Sequence, residues 1–112
     1  MSTSPMSPLG VLEEQILVAV WRTGDEAYGM QVRREIERVT ERELAIGAVY
    51  ATLDRLEEKG LVASRRADRE GASRRIFAIT ARGARALAET YALRERLWRG
   101  VDLRRISTLA RA

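Results

Sequence analysis

The residues best suited to chemistry in this sequence are five arginines within eleven positions of its second half. Arg65, Arg66, Arg69, Arg74 and Arg75 stand against only two acidic residues in that stretch. The arginine guanidinium is well shaped to bind phosphate, and phosphate contacts supply much of the affinity of proteins for DNA. Because side chains alternate along a strand, we expect either Arg65 with Arg75 or Arg66 with Arg74 to face a partner at one time. The cluster therefore predicts contact with a polyanion.

The charges of the whole chain are divided unevenly between its two halves. The 112 residues carry 20 basic and 16 acidic side chains, a net charge of only +4. Residues 1–60 hold 7 basic and 11 acidic side chains, whereas residues 61–112 hold 13 basic and 5 acidic ones. This asymmetry again favours a polyanion contact in the second half.

Cysteine and histidine are both absent from the sequence. Without cysteine there is no thiolate nucleophile or cysteine-bound metal, and without histidine the commonest metal ligand and general base are missing. We therefore expect no enzyme, no metal site and no cofactor. No apolar run approaches the roughly 18–20 residues that span a bilayer, and no secretory leader is recognisable. These absences predict a cytoplasmic protein without membrane contact.

The spacing of apolar residues predicts three helices in the first sixty residues. Ser7 and Pro8 are predicted to be the N-cap and first position of the first helix. A second helix follows from about Tyr28, and a third covers about residues 46–59 and stops at Gly60. The residues predicted to face the core are Leu9, Leu12, Ile16, Ala19, Val20, Trp21, Val32, Ile36, Val39, Ile46, Val49, Leu53 and Leu56.

Beyond the third helix the pattern changes from helical to alternating. Residues 61–67 and 74–79 are predicted strands, and the turn-rich stretch 68–73 joins them into a hairpin. The arginine cluster lies on this hairpin.

The last part of the chain is again helical in its pattern. Thr80 is predicted to cap a long fourth helix that Gly100 ends or bends, and Asp102 to cap a short amphipathic turn after it. Two apolar stripes are predicted on the long helix, Ala84, Leu87, Ala88 and Tyr91 on one face and Leu93, Leu97 and Val101 on another. The final turn carries Leu103, Ile106 and Leu109.

Three short helices followed by a hairpin is the element order of a winged helix-turn-helix. The fold class predicted is therefore α+β, mostly α, with a two-stranded wing and a long C-terminal helix. We expect residues 1–7 to be a loose N-terminus, residues 8–79 the DNA-binding domain, and residues 80–112 the dimerisation helix and tail. In this fold the third helix lies in the DNA major groove and the wing reaches the neighbouring backbone or minor groove.

The sequence resembles the PadR family of bacterial transcriptional regulators in four stretches that occur in the same order. They are PLGVLEEQIL, YGMQVRREI, GAVYATLDRLEEKGLV and SRRIFAITARGARAL, between about Pro8 and Leu87. The resemblance implies a dimeric winged-helix regulator, usually a repressor, in which C-terminal helices form the dimer. The short C-terminal region resembles the small, single-helix branch of that family. A serine commonly precedes the third helix in the family, but this chain has Ala45, which leaves that helix end without a side-chain cap unless another group supplies one.

Several residues around the third helix are candidates for DNA contact, and most have a structural alternative. Tyr50 either bonds a DNA phosphate or packs under the wing, and Gly47 allows either close approach to DNA or a tight helix crossing. Thr52 and Arg55 are candidates for base or phosphate contact, although Arg55 has Asp54 and Glu58 as possible ion-pair partners. The predicted DNA-binding residues are Arg33, Gly47, Tyr50, Thr52, Arg55, Arg65, Arg66, Arg74 and Arg75.

Two features limit what the third helix can read. Its exposed face lacks asparagine, glutamine and a central arginine, and Asp54 and Glu58 repel phosphate. We therefore expect specificity from a few contacts together with DNA shape. Arg33 on the second helix contacts either a phosphate or Glu37.

The long C-terminal helix is expected to hold the dimer through Leu93, Leu97 and Val101. The family resemblance implies that an aromatic residue on this helix can line a cavity between subunits. Trp98, Tyr91 and Leu97 are the candidates for binding a flat hydrophobic effector there, with plain dimer core as the alternative.

The sequence as a whole predicts a sequence-specific regulator, a repressor that binds a palindromic operator in double-stranded DNA as a homodimer and is released by a small hydrophobic ligand. The alternative is a winged helix used for protein interaction or dimerisation without specific DNA binding. Asp54 and Glu58 on the third helix support that alternative.

Overall fold

The computed structural model describes residues 8–112 and contains five α-helices and one two-stranded sheet within that range. The elements are α1 (Val11–Thr23), α2 (Gly29–Thr40), α3 (Ile46–Glu58), β1 (Val62–Arg69), β2 (Ala72–Ile79), α4 (Ala81–Trp98) and α5 (Leu103–Ala110), with a short 3-10 turn at Gly24–Glu26. The predicted mostly helical winged helix-turn-helix is confirmed. The predicted cap at Ser7 lies outside the described residues.

Helix α1 begins three residues later than the sequence predicted. Gly10 is its N-cap, and the Glu13 carboxylate accepts the Gly10 N–H at 3.0 Å. Pro8 therefore precedes the helix and is not its first residue. The carboxylate of Glu13, at the third helical position, accepts the N–H of the N-cap residue Gly10 and so favours a helix start there.

The hairpin is longer and tighter than predicted. β1 and β2 pair antiparallel from Val62↔Ile79 to Arg69↔Ala72, and Glu70 and Gly71 alone connect them. Both connecting residues have positive φ, 53° and 77° respectively. A two-residue turn of that kind matches the right-handed twist of paired strands, so the strands extend to its edge.

The core lies between α1, α2, α3 and the inner face of the hairpin. Its largest fully buried side chains include Phe77, Ile16, Leu17, Leu53 and Leu56. The hairpin is attached to the helices through its β2 edge, where the Phe77 N–H donates to the Ala27 carbonyl at 2.9 Å. The wing is therefore fixed against the start of α2 as well as against α3.

Helix α4 joins the hairpin at a close contact that requires glycine. The predicted Thr80 cap is confirmed, since its hydroxyl accepts the Gly83 N–H at 3.0 Å. A Cβ atom on Gly83 would overlap the Leu61 carbonyl and lie 3.0 Å from Ile79 Cγ2. The helix therefore packs its backbone directly on Leu61, the residue that precedes β1.

Several residues predicted for the core are exposed instead. Trp21 is 75% exposed and Val39 is 53% exposed. On α4 the buried residues are Gly83, Ala86 and Thr90, not the predicted stripe through Ala84, Ala88 and Tyr91. Trp21 and Val39 lie beside the buried arcs of their helices, and no element in the described part of the chain covers that side.

The C-terminal predictions are confirmed at the level of elements. Gly100, with φ 79°, follows the end of α4, and the Asp102 carboxylate accepts the backbone N–H groups of Arg104 and Arg105. The predicted final turn is an eight-residue helix, α5. None of the helices described for residues 8–112 has the length and apolar character that a membrane-spanning helix needs.

Candidate nucleic-acid interface

Helix α3 buries one side against the core and presents the other to solvent. Val49, Leu53 and Leu56 are fully buried. Gly47, Tyr50 and Arg55 are exposed on the opposite side or at its edges. The helix that the sequence assigned to DNA is therefore accessible along its length.

Gly47 faces open space at the first turn of α3. A Cβ atom built on it would meet nothing within 4 Å. The alternative of a tight helix crossing is therefore wrong for the described chain, because such a crossing would place neighbouring atoms there. What remains is a smooth, side-chain-free patch that a partner can approach closely.

Tyr50 packs on the start of α2. A Cβ atom on Gly29 would overlap the Tyr50 ring and lie 2.5 Å from its hydroxyl oxygen. Tyr50 nevertheless remains 38% exposed. The absence of a side chain at Gly29 thus lets α2 and α3 meet through the Tyr50 ring, which fixes the position of that ring on the exposed surface.

Thr52 cannot serve as the predicted DNA contact in this structure because it is only 1% exposed. On a helical wheel Thr52 lies about 40° from Leu56, at the edge of the core stripe. Its hydroxyl accepts a long hydrogen bond of 3.4 Å from Arg55 Nη2. Thr52 is therefore a core residue that orients Arg55.

Arg75 joins the wing to α3 through two carboxylates. Its guanidinium donates to Asp54 Oδ1 at 2.8 Å and to Glu57, and its Nε donates to Ser64 Oγ at 3.1 Å. Asp54 and then Glu57 raise the pKa of Arg75. The Ser64 hydroxyl, followed by Arg75, lowers the pKa of Glu57. Arg75 is thus bound within the protein instead of being free for phosphate as predicted.

The same ion pair changes the charge that α3 presents. Asp54 is one of the two acids expected to repel DNA, and Arg75 now lies against it. An opposite charge at this distance offsets much of the repulsion that an isolated carboxylate would exert. Arg75 is shared with Glu57, so these three side chains together keep one negative charge, and Glu58 adds a second.

The register of the hairpin pairs the other wing arginines differently from the prediction. Arg66 lies opposite Arg75, and Arg65 lies opposite Ile76. Directly opposed residues share a face of the sheet, so Arg66 lies on the α3 side with Arg75, whereas Arg65 lies on the other side with Arg74. Arg65 and Arg66 are both exposed.

Arg74 lies against Tyr28, at the residue that precedes α2. Its guanidinium carbon is 4.4 Å from the centroid of the Tyr28 ring, a cation–π contact. Its Nε is buried and has no hydrogen-bond partner within the described chain. Part of the Arg74 side chain is therefore held by packing.

The remaining candidate on α2, Arg33, is paired with Glu37. The distance from Arg33 Nε to Glu37 Oε2 is 3.3 Å. Glu37 also accepts the Leu44 N–H at 2.7 Å, and this bond is the main cause of its lowered pKa. No side chain caps α3 at Ala45, as the sequence predicted. The Glu37 carboxylate instead orders the turn that leads into α3.

The residues proposed for dimerisation and effector binding are uncovered in the single chain. Leu97 is 74% exposed, Tyr91 62% and Trp98 49%. Leu93 and Val101 are also exposed. On a helical wheel Tyr91 and Trp98 lie about 20° apart and Leu93 and Leu97 about 40° apart, so they form two exposed apolar faces on the second half of α4.

Sequence reasoning missed the two contacts that organise this surface. The packing of Tyr50 on Gly29 and the bridge from Arg75 to Asp54 and Glu57 both join residues far apart in sequence. The spacing of Asp54 and Glu57, one helical turn apart beside a basic wing, was the available signal for the bridge.

Comparison with known proteins agrees with this architecture. Residues 16–89 match the model of the transcriptional regulator PadR-like family. The structure is similar to RosR of H. salinarum solved in a complex, with 25% identity, a TM-score of 0.67, and 91% of this chain and 88% of RosR covered.

Two further structures are similar. For a PadR family transcriptional regulator from Eggerthella lenta, the identity is 27% and the TM-score 0.67, over 82% of this chain and 79% of that one. A PadR-like transcription factor from Bacteroides fragilis is 23% identical with a TM-score of 0.70, over 82% of this chain and 87% of that one. At this identity the likeness shows the fold alone. No curated protein sequence is significantly similar to the chain.

Proposed function

Because the chain belongs to the PadR-like family of transcriptional regulators, we propose that it represses transcription by binding a palindromic operator in double-stranded DNA as a homodimer. One observation carries the proposal. The open surface of α3 at Gly47 lies in a unit whose wing bears two exposed arginines, Arg65 and Arg66. A groove-entering helix flanked by phosphate-binding side chains is the arrangement that winged helices use on DNA.

Within this proposal each set of residues has its own role. Gly47, Tyr50 and Arg55 face the major groove, and Arg65 and Arg66 bind phosphates on either side of the wing. Arg74 and Arg33 add backbone contacts when their intramolecular partners release them. Arg75 acts indirectly, because it holds the wing against α3 and offsets part of the negative charge of Asp54 and Glu57.

The proposed dimer forms through the apolar second half of α4, with Leu93, Leu97 and Val101 in its core. A two-fold axis in the protein requires inverted half-sites in the DNA, with the two α3 helices about 34 Å apart. The proposed role places the protein in the cytoplasm with the chromosome.

Salt titration of DNA binding tests the wing directly. Arg65→Ala and Arg66→Ala should each lower the slope of log K against log salt by about 0.9 for each phosphate that the variant no longer binds, and by twice that in a dimer. Arg111→Ala, an exposed arginine at the C-terminus, is the matched control and should leave the slope unchanged. Unchanged slopes in all three variants would remove the wing from the interface.

The alternative function, a protein-interaction module, makes the opposite prediction. Its main support was the acidic character of α3, where Arg75 offsets one of the three negative charges of Asp54, Glu57 and Glu58. A protein of that kind would bind a selected operator no more tightly than scrambled DNA of the same composition.

Release by a small hydrophobic effector is the last part of the proposal. Trp98, with Tyr91 and Leu97, would stack on a flat apolar compound between the two subunits. In a Trp21→Phe variant, Trp98 is the sole tryptophan, so anilinonaphthalene sulfonate should change its emission and release DNA at the same concentrations. A change in emission without release would make this surface plain dimer core.

A further inference from the structure

The wing is bonded to the helices on both of its edges at one pair of residues, Ser64 and Phe77. These two residues lie opposite each other on β1 and β2. The Ser64 N–H donates to Glu57 Oε2 of α3 at 3.1 Å, and the Phe77 N–H donates to the Ala27 carbonyl at 2.9 Å. In an antiparallel hairpin, alternate pairs point their N–H groups outwards, and this pair is one of them. We call Ser64 and Phe77 the wing anchor.

The two edges of the wing anchor are held by acceptors of different kinds. On the β2 edge the acceptor is a backbone carbonyl, which no side-chain substitution removes. On the β1 edge it is the carboxylate of Glu57, which also accepts the Ser64 hydroxyl at 2.8 Å. The angle between the hairpin and α3 at this level therefore depends on one side chain, and that side chain belongs to the helix proposed to enter the groove.

Arg75 completes a ring of hydrogen bonds around Glu57. Its Nη2 donates to the Glu57 carboxylate, and its Nε donates to the Ser64 hydroxyl at 3.1 Å. Glu57 thus accepts bonds from both strands of the wing, from Ser64 on β1 and from Arg75 on β2. Hydrogen bonds to an ionised acceptor are roughly twice as strong as bonds between neutral groups. The charged carboxylate therefore holds the two strands against α3 as a unit.

The acidic residues of α3 differ in what they contact. The Glu57 side chain is 34% exposed and bonds the wing, whereas the Asp54 side chain is 54% exposed and contacts Arg75 alone. Glu58 is exposed and makes no hydrogen bond or ion pair with the residues that the structure describes. Glu57 and Glu58 are therefore adjacent acids of the same type, of which only Glu57 is joined to the wing.

The ring of bonds also determines which wing arginine is available to a partner. Arg66 and Arg75 lie opposite each other on the α3 side of the sheet, where like charges repel. The carboxylates of α3 bind Arg75 within the protein. Arg66 remains exposed beside it. The same contacts that fix the wing thus leave Arg66 free to bind phosphate.

From these contacts we propose that Glu57 is a positioning residue for DNA binding. Its carboxylate sets the angle between α3 and the wing, so that the helix reaches the major groove while Arg65 and Arg66 reach phosphates of the same duplex. A wing that is already in its binding position loses less conformational freedom on binding, which raises affinity. The inference rests on the proposed DNA-binding function. Glu57 acts through the wing, because its own negative charge opposes the approach of phosphate.

Glu57→Gln and Glu58→Gln test this role, since each removes one negative charge from neighbouring positions of α3. Charge alone predicts that both variants bind DNA more tightly. If Glu57 positions the wing, Glu57→Gln should instead weaken binding to the selected operator about tenfold, because a neutral amide bonds Ser64 and Arg75 less strongly. Glu58→Gln, the matched control, should bind as tightly as the unsubstituted protein or up to about threefold more tightly.

The salt dependence of binding separates positioning from a loss of stability. A variant that is merely less stable contains fewer active molecules, but those molecules bind the same number of phosphates and keep the slope of log K against log salt. Glu57→Gln should lower that slope by about 0.9 for each phosphate that the wing no longer binds. Denaturant unfolding verifies that both variants are folded under the conditions of the titration.

Ser64→Ala provides a second route to the same bonds. It removes the hydroxyl that Glu57 accepts and keeps the backbone N–H, so it should weaken operator binding less than Glu57→Gln does. Because the two residues act through one contact, their losses should not add in the Glu57→Gln/Ser64→Ala double variant. Losses that add fully would contradict a shared role.

The possible results distinguish this inference from the proposed function. If Glu57→Gln binds the operator as tightly as Glu58→Gln, Glu57 does not position the wing, and the proposed function stands. A tenfold loss with an unchanged salt slope would assign Glu57 to stability alone and would also overturn the inference. If the unsubstituted protein binds selected and scrambled DNA equally, the proposed function is wrong and the inference fails with it.

Discussion

Two glycines, Gly83 and Gly47, lie in opposite surroundings, and this difference separates a role in packing from a role in binding a partner. Gly83 packs so tightly that a Cβ atom would overlap the Leu61 carbonyl, whereas Gly47 faces open space. Glycine costs a helix about 1 kcal/mol relative to alanine. At Gly83 the close packing explains why a glycine is present despite this cost. At Gly47 we attribute the presence of glycine to the close approach of DNA.

Alanine substitutions separate these two assignments. Gly83→Ala should destabilise the protein by about 1–3 kcal/mol, because an inserted methyl group forces the backbone apart. Gly47→Ala should raise the free energy of unfolding by up to about 1 kcal/mol and yet weaken operator binding. Denaturant unfolding and DNA titration of both variants measure these effects. Operator affinity unchanged in Gly47→Ala would show that DNA does not approach this position closely.

Arg75 provides a second test at the same scale. Arg75→Ala should lower stability by about 1 kcal/mol and also weaken DNA binding, since Asp54 and Glu57 are left unpaired beside the operator. Adding Asp54→Asn to Arg75→Ala should restore part of the DNA affinity without restoring stability. If Arg75 bound phosphate itself, Asp54→Asn would not compensate for its removal in this way.

At the level of elements, the structure is organised by helices that are covered on only part of their length. Helix α4 buries Gly83, Ala86 and Thr90, but its continuation through Leu97 is exposed. Helix α1 likewise buries Ile16 and exposes Val18. These uncovered faces lie outside the core formed with the hairpin, where a second chain can reach them.

Helix α2 gives a prediction for the dependence of stability on pH. Arg38, and then Arg22, lower the pKa of Glu35 from 4.5 to about 2. A carboxylate whose pKa is lower in the folded protein stabilises it above pH 4.5, and this contribution is lost as the pH falls through about 2. Glu35→Gln should therefore lower stability at pH 7 and flatten its decline between pH 4.5 and 2. Parallel curves for the two proteins would contradict the assigned ion pairs.

The sequence predicted the order and type of the elements well, because local signals determine them. Alternation marked the strands, and Thr80 and Asp102 were recognisable as caps. Trp21 was predicted to be buried and is exposed, whereas Thr52 was predicted to contact DNA and is buried. Both lie at the edge of a helical apolar stripe, where burial depends on which element packs beside the helix. The bridge from Arg75 to Asp54 depends on strand register, which a two-residue turn fixes and composition does not reveal.

At the scale of the whole molecule, the proposed binding to a palindromic operator requires two copies arranged about a two-fold axis. Leu97→Glu, at the most exposed leucine of α4, should shift the protein to monomer at micromolar concentration and leave the fold of each chain intact. Sedimentation velocity measures the oligomeric state. The affinity for the operator should fall when the dimer dissociates. A Leu97→Glu variant that stays dimeric would exclude α4 as the main contact.

Sequence-specific DNA binding is tested by letting the protein select DNA from a pool of random duplexes and then measuring its affinity for the selected site. We expect an inverted repeat whose half-sites are centred about 10–10.5 base pairs or a multiple apart. The selected site should bind at least about a thousandfold more tightly than scrambled DNA at physiological salt. If no inverted repeat is enriched and the protein binds selected and scrambled DNA equally, it is not a sequence-specific DNA-binding regulator.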